Sequence, residues 1–147
     1  MFGRQTSHAI AALSVLARAY ESDRPRLSVG DISEACKVPP PTVSKVLSML
    51  AQVGLVAGSR GPGGGFTLSK PPSEIKLAEI YAPFARMGDH HICPFGQGEC
   101  SDEDPCPLHE QMLAIRANIG ELLHKTTLDV FIDSGDSCTD KPGNNTG

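Results

Sequence analysis

Three cysteines, Cys93, Cys100 and Cys106, fall within fourteen residues, and His109 follows the third by three positions. Thiolates this close must be bridged by a metal, joined as disulfides or left free. The chain has five cysteines, an odd number, and opens on Met1-Phe2-Gly3-Arg4-Gln5 without a long apolar core or a small-residue cleavage site. An export signal and a disulfide framework are therefore not expected, and the clustering favours a metal or redox site over free thiols. Three thiolates and one imidazole suit tetrahedral zinc. Three thiolates and one other ligand suit an iron–sulfur cluster, whose non-cysteine ligand makes it tunable and labile. Spacing alone does not separate the two. Cys36 reads as a buried helix residue and Cys138 as a free thiol in the tail. His90 and His91 read as surface residues; Asp102, Glu103 and Asp104 read as a solvated acidic loop, with a carboxylate ligand as the alternative.

The elements that must position this cluster are legible on either side of it. Ile10, Leu13, Leu16 and Ala17 recur at helical spacing over about Ser7 to Tyr20. Ser28 can cap a second helix carrying Val29, Ile32 and Ala35 and ending near Cys36. Pro39, Pro40 and Pro41 stop it and supply the first turn of a third helix, about Pro41 to Gln52, with Val43, Val46, Leu47 and Leu50 inward and Gly54 as its stop. Two strand-like runs follow, Leu55-Val56-Ala57 and Phe66-Thr67-Leu68, joined by Arg60-Gly61-Pro62-Gly63-Gly64-Gly65. Ser69 to Ser73 closes this hairpin. Leu77 to Phe84 reads as a short helix with Pro83 near its end, and Met87 to Pro105, aperiodic, as the loop that holds the cysteines. Pro107 opens a long helix whose Leu108, Met112, Ile115, Ile119, Leu122 and Thr126 form a narrow apolar seam of the kind that pairs with its copy. The expected fold is mainly α with a small β-hairpin: a winged helix–turn–helix domain at 1–72, a cluster-binding loop and dimerisation helix at 73–133, and a disordered tail at 134–147.

A helix–turn–helix followed by a glycine-rich hairpin points to DNA. The first turn of the third helix exposes Thr42, Ser44 and Lys45, which can reach base edges or phosphates. The hairpin would lie against DNA through Arg60, Pro62, Gly63 and Gly64, bare backbone beside a phosphate-seeking charge. Helix capping and plain solvated surface are the competing readings of Thr42 and Ser44. The net charge of −4 hides an asymmetry: residues 1–70 hold eight Lys/Arg against four Asp/Glu, and residues 71–147 hold five against thirteen. A basic front can bind nucleic acid while an acidic rear does not. No apolar run is long enough to span a membrane, and a cytoplasmic location is expected. No nucleophile–base set or nucleotide motif marks an enzyme.

The Arg60-to-Gly65 wing, the three cysteines with His109, and Thr127-Leu128-Asp129 near the end of the long helix together resemble the bacterial iron–sulfur cluster regulators and nitric-oxide-sensitive repressors of the IscR/NsrR type. The resemblance runs in order from about residue 4 to 132. It implies a homodimeric winged-helix transcription factor, a repressor, on a palindromic double-stranded operator. Cys93, Cys100 and Cys106 would ligate a 2Fe–2S or 4Fe–4S cluster whose redox state, or loss to nitric oxide, oxygen or iron starvation, alters DNA affinity. His109 matches the fourth ligand of the members that sense iron–sulfur status. Nitric-oxide sensors can take an acidic ligand near the partner chain's N-terminus, where this sequence has Ser7 and His8. Two other readings stand beside it. One is a winged-helix regulator with structural zinc or a metal-free thiol switch. The other is an iron–sulfur carrier or redox protein that uses the winged helix for protein docking.

Overall fold

The computed structural model describes residues 4–22, 26–61, 64–85, 102–103 and 105–133. Helix α1, Arg4–Glu21, buries Ala9, Ala12, Leu13, Leu16 and Ala17 along one stripe. Helix α2 spans Val29–Cys36. Its start is a capping box: Asp31 N donates to Ser28 Oγ at 3.1 Å, and Ser28 N donates to Asp31 Oδ2 at 3.3 Å. Its end is Lys37 in the left-handed region, φ 55°. Ala35, expected inside, is exposed. Helix α3 spans Pro40–Gln52, one residue longer than expected, and buries Val43, Val46, Leu47 and Leu50 against α1 and α2. Gly54 follows with φ 79°, a conformation glycine takes without steric cost.

Strands β1, Val56–Ser59, and β2, Gly65–Leu68, pair antiparallel with Val56 opposite Leu68 and Ser59 opposite Gly65. Leu27 adds a one-residue bridge on the other edge of β2 that period-2 alternation cannot signal. Its N–H donates to Phe66 O at 3.0 Å, and Phe66 N donates back to Leu27 O at 2.7 Å. The hairpin is thereby fastened to the residue that precedes the α2 cap.

After the hairpin a 3₁₀ turn, Pro72–Glu74, leads into α4, Leu77–Tyr81, and a second 3₁₀ turn at Ala82–Phe84. Helix α5 spans His109–Lys125 and α6 spans Val130–Asp133. Pro107 and Leu108 form a turn, so α5 begins two residues later than expected. Its C-terminal end is clamped to the segment leaving the hairpin: Leu77 N donates to Thr126 O at 3.0 Å and Leu128 N donates to Ile75 O at 2.8 Å. Ile75, Ile80 and Leu128 are buried in the same core as Leu13 and Leu47, so the core runs across residue 72, where a boundary was expected. Truncating Leu47, fully buried at the centre, should cost about 2–5 kcal/mol.

The expected α5 seam divides into two columns. Met112 is buried and Ile119 and Thr126 are half-buried, whereas Leu108, Ile115 and Leu122, spaced by seven, are 41, 43 and 58% exposed. Among the described residues no helix is long and apolar enough to cross a membrane.

Candidate functional site

Helix α3 presents Ser44 and Lys45 to solvent and holds Thr42 half-buried, while Val43 and Val46 anchor it from below. Neither Thr42 nor Ser44 caps the helix; the N-cap is Pro39, without a side-chain cap. A helix N-terminus ordinarily leaves its first four amides open to an anion. Here three of those positions are Pro39, Pro40 and Pro41, which carry no N–H, and the fourth amide, Thr42 N, donates to Pro39 O at 3.0 Å. Val43 N also donates to Pro39 O, at 3.1 Å. The start of α3 therefore has no main-chain donors for a phosphate, and side chains must supply them.

Those side chains come from two helices. Arg4, Gln5 and His8 of α1 face Pro41, Thr42 and Lys45 of α3 across a cleft of about 340 Å³. Among the described residues no carboxylate lines it. Arg4 and Gln5 are exposed and His8 is half-buried, with Ser7 exposed beside it. The sequence reading missed Arg4 and Gln5 here. Their place depends on the α1–α3 packing, which no local pattern announces.

The hairpin presents Arg60, exposed, at its base. Pro62 and Gly63 lie outside the described residues. Gly61 takes φ 91°, and Gly64 N donates to Gly61 O at 2.8 Å to close the turn. A Cβ on Gly64 would stand 2.5 Å from Ser59 O and 2.7 Å from Gly61 O. One on Gly65 would stand 2.4 Å from Leu27 O. Glycine is thus demanded by the hairpin's own turn and by its pairing with Leu27, beyond any close approach to DNA. At the hairpin's exit, Lys70 Nζ donates to Glu79 Oε1 at 2.7 Å and Lys76 N donates to Glu79 Oε2 at 2.9 Å, tying β2 to α4. The Lys70 hydrogen bond, more than any other influence, holds the Glu79 carboxyl below its usual range.

Of the expected metal ligands, Cys106 and His109 lie at the start of α5, while Cys93 and Cys100 lie outside the described residues, as do His90, His91, Asp104 and Cys138. Cys106 is half-buried, and its carbonyl accepts from His109 N at 3.0 Å, closing the turn that leads into α5. His109 is 8% exposed, and its Nε2 lies 2.9 Å from Asp102 Oδ1. His109 is buried, and Asp102, whose side chain is 95% exposed as a solvated acidic residue should be, still meets it through one oxygen. An imidazole held by a carboxylate is an arrangement often found around metal-bound histidines. Among the described residues no three His, Cys, Asp or Glu side chains converge as a metal site. Cys36 is buried at the end of α2, and burial pushes its thiol pKa up, which makes it a poor nucleophile and ligand.

Residues 2–134 match the Rrf2 family model, described as iron-dependent transcriptional regulators. A protein of Aquifex aeolicus provisionally named an HTH-type transcriptional regulator is 29% identical over 135 residues, covering 90% of this chain and 92% of that protein. The HTH-type transcriptional regulator IscR of Pectobacterium atrosepticum is 29% identical over 124 residues, covering 84% of this chain and 75% of that protein. Among solved structures, CymR (YrzC), described as the global cysteine regulator of B. subtilis, superposes with a TM-score of 0.74 at 20% identity, covering 92% of this chain and 98% of that one. IscR of T. potens superposes with a TM-score of 0.72 at 19% identity, covering 97% and 93%. At these identities the structural likeness speaks for the fold.

Proposed function

The chain belongs to the Rrf2 family of transcriptional regulators, and from that premise we propose that it is a homodimeric repressor whose grip on a palindromic operator is set by an iron–sulfur cluster. The observation that carries this reading is the joining of two things in one chain: a winged helix with Ser44, Lys45 and Arg60 exposed, and a thiol cluster ending in Cys106 and the carboxylate-held His109. Regulators of this fold include one described by cysteine and others named IscR, so the fold does not choose the signal. The three clustered thiols support an iron–sulfur centre.

Cys93, Cys100, Cys106 and His109 would hold the cluster, with the partner chain's His8 or Ser7 as the alternative fourth ligand. When bound, the cluster supplies a centre that nitric oxide, oxygen or iron starvation can modify or dismantle. The protein's part is mechanical. Cys106 precedes and His109 opens a helix whose first turn is packed, with His109 and Met112 buried, and whose other end is clamped to the core at Thr126 and Leu128. Ligation of Cys106 and His109 to a cluster would bias how that first turn seats. The exposed Leu108, Ile115 and Leu122 column suits pairing with a second copy. A small change in α5 would then alter the separation of two recognition helices, which must match half-sites about 34–36 Å apart.

The test is purification without oxygen, followed by a visible spectrum, iron, sulfide and zinc analysis, and binding to promoter fragments with and without cluster. The expected protein is brown, contains iron and acid-labile sulfide, and changes affinity when the cluster is lost. A colourless preparation with one zinc per chain would replace the cluster by structural zinc. Failure to bind any promoter fragment would favour a carrier that docks on proteins.

A further inference from the structure

We infer that the cleft between α1 and α3 is a seat for one DNA backbone phosphate in each half-site, held by Arg4 and Lys45 with the Thr42 hydroxyl and Gln5 as neutral donors. The inference rests on the DNA-binding reading above and joins Thr42 and Lys45 of the helix–turn–helix to Arg4 and Gln5 of α1, which that pattern does not include.

The need for such a site follows from the prolines. Phosphate contacts fix the register of a recognition helix on the duplex, and a helix N-terminus commonly makes them through main-chain amides. Pro39, Pro40 and Pro41 remove three of those amides, and Pro39 O occupies Thr42 N at 3.0 Å. The start of α3 therefore brings bulk and a fixed backbone direction to the duplex but no main-chain donor. Its anchoring charge has to come from elsewhere, and the cleft supplies it. Two cations, Arg4 and Lys45, line the same space of about 340 Å³ with no carboxylate among its lining residues. Among the described residues no ion pair joins either cation to a carboxylate. A tetrahedral phosphodiester fits such a space, and a guanidinium is suited to grip two of its oxygens at once.

The site would also join the two helices on which register depends. Arg4 lies in the first turn of α1, Lys45 in the second turn of α3, and one phosphate between them would lock α3 against the domain that carries it. Base readout from Ser44, a short and exposed side chain, would gain its precision from this anchor. The contact carries no sequence information of its own, so its loss should weaken every operator by the same factor.

The experiment uses the full chain and an operator selected by the wild type from random-sequence duplexes. Arg4→Gln should lower affinity for several selected operators by a common factor while leaving the thermal melt unchanged. Loss of one phosphate contact lowers the salt slope by about 0.9, so between 50 and 200 mM salt the wild type should lose about 3.5-fold more affinity per chain than the variant. Neutral methylphosphonates placed one at a time around each half-site should identify one position where the wild type weakens and Arg4→Gln does not weaken further. Lys45→Gln should be insensitive at the same position. An Arg4→Gln protein that matches the wild type in affinity and salt slope refutes the seat while leaving the regulator reading intact. If no methylphosphonate position couples to Arg4, and inorganic phosphate or sulfate abolishes the Arg4 effect at constant ionic strength, the cleft holds a free anion and the inference falls. A wild type that selects no duplex at all refutes the functional reading, and this one with it.

Discussion

Leu122→Ala should dissociate the proposed dimer far more than it unfolds the chain, and the magnitude follows from one exposure. Leucine to alanine removes three carbons, worth about 0.8 kcal/mol each when fully transferred from water, or about 2.4 kcal/mol in all. Leu122 is 58% exposed in the single chain, so pairing can hide at most that share. The loss is about 1.4 kcal/mol per chain and about 2.8 kcal/mol per dimer, which is roughly 100-fold in dimer Kd. The share already buried within the chain leaves about 1 kcal/mol of fold stability at risk, a shift of a few degrees in Tm. Sedimentation equilibrium from nanomolar to micromolar protein measures the first quantity, and the melt of the dilute monomer measures the second. Val53→Ala provides the control, since Val53 is 51% exposed but lies outside α5. A dimer constant for Leu122→Ala within about threefold of wild type, or equal weakening by Val53→Ala, would refute the assignment of this column to the interface.

Gly64→Ala places a Cβ about 2.5 Å from Ser59 O, so the wing must change shape; operator affinity should fall in gel-shift titrations while helical circular dichroism is retained. Arg60→Ala should instead leave the wing intact, weaken all operators alike and flatten the salt dependence by about one unit of slope. Cys93→Ala, Cys100→Ala and Cys106→Ala should each abolish bound iron and shift operator affinity in one direction without breaking the dimer, and His109→Ala should give a weaker or spectrally altered cluster; cysteine variants that match holo wild type across operators and salt concentrations would remove the sensing mechanism. Glu79 carries a lowered pKa, so its contribution to stability is full above its ordinary value of 4.5 and is lost as pH falls through the lowered folded value. In acid melts the gap between wild type and Glu79→Gln should therefore close below about pH 4.5, and solvent screening of this half-exposed pair keeps it under about 1 kcal/mol.

The parts of the fold that could be read from the sequence are those that a local rule governs. The Leu13, Leu16, Ala17 stripe, the Ser28 cap and the Gly54 stop depend only on neighbours along the chain, and each stands where its rule puts it. The single rung at Leu27 has no such rule, because one residue shows no alternation. The heptad of α5 identified a stripe but not its partners: spacing cannot say that Met112 turns toward the chain's own core while Leu122 does not. At the site, Thr42, Ser44, Lys45 and Arg60 were legible because they belong to one helix turn and one hairpin. Arg4 was not, because its nearness to Lys45 comes from the packing of α1 on α3. The Asp102–His109 pair was hidden for the same reason, since an acidic run and a histidine seven residues on carry no signal of contact.

The proposed control has a continuous physical route through this chain. Cys106 lies in the turn before α5, His109 opens α5, α5 packs on α4, Glu79 of α4 holds Lys70, and Lys70 lies two residues beyond the end of β2. The far end of β2 is the glycine turn that follows Arg60. A helix of this length is about 25 Å long at 1.5 Å per residue, so with its C-terminal end clamped a tilt of about 10° displaces the cysteine end by roughly 4 Å. The same tilt at the clamp is felt as a twist on the Lys76–Thr127 bridge, six residues from Lys70. Contiguity of this kind becomes a switch only if the helix has two discrete seats. If a second copy seats the exposed apolar column of α5 in more than one way, half of that condition is met. If the thiolates bind a single centre that favours one seat over the rest, the other half is met. On the proposed reading, the sensing end and the reading end would then communicate through dimer geometry and through the wing together, without a ligand of the cluster touching DNA.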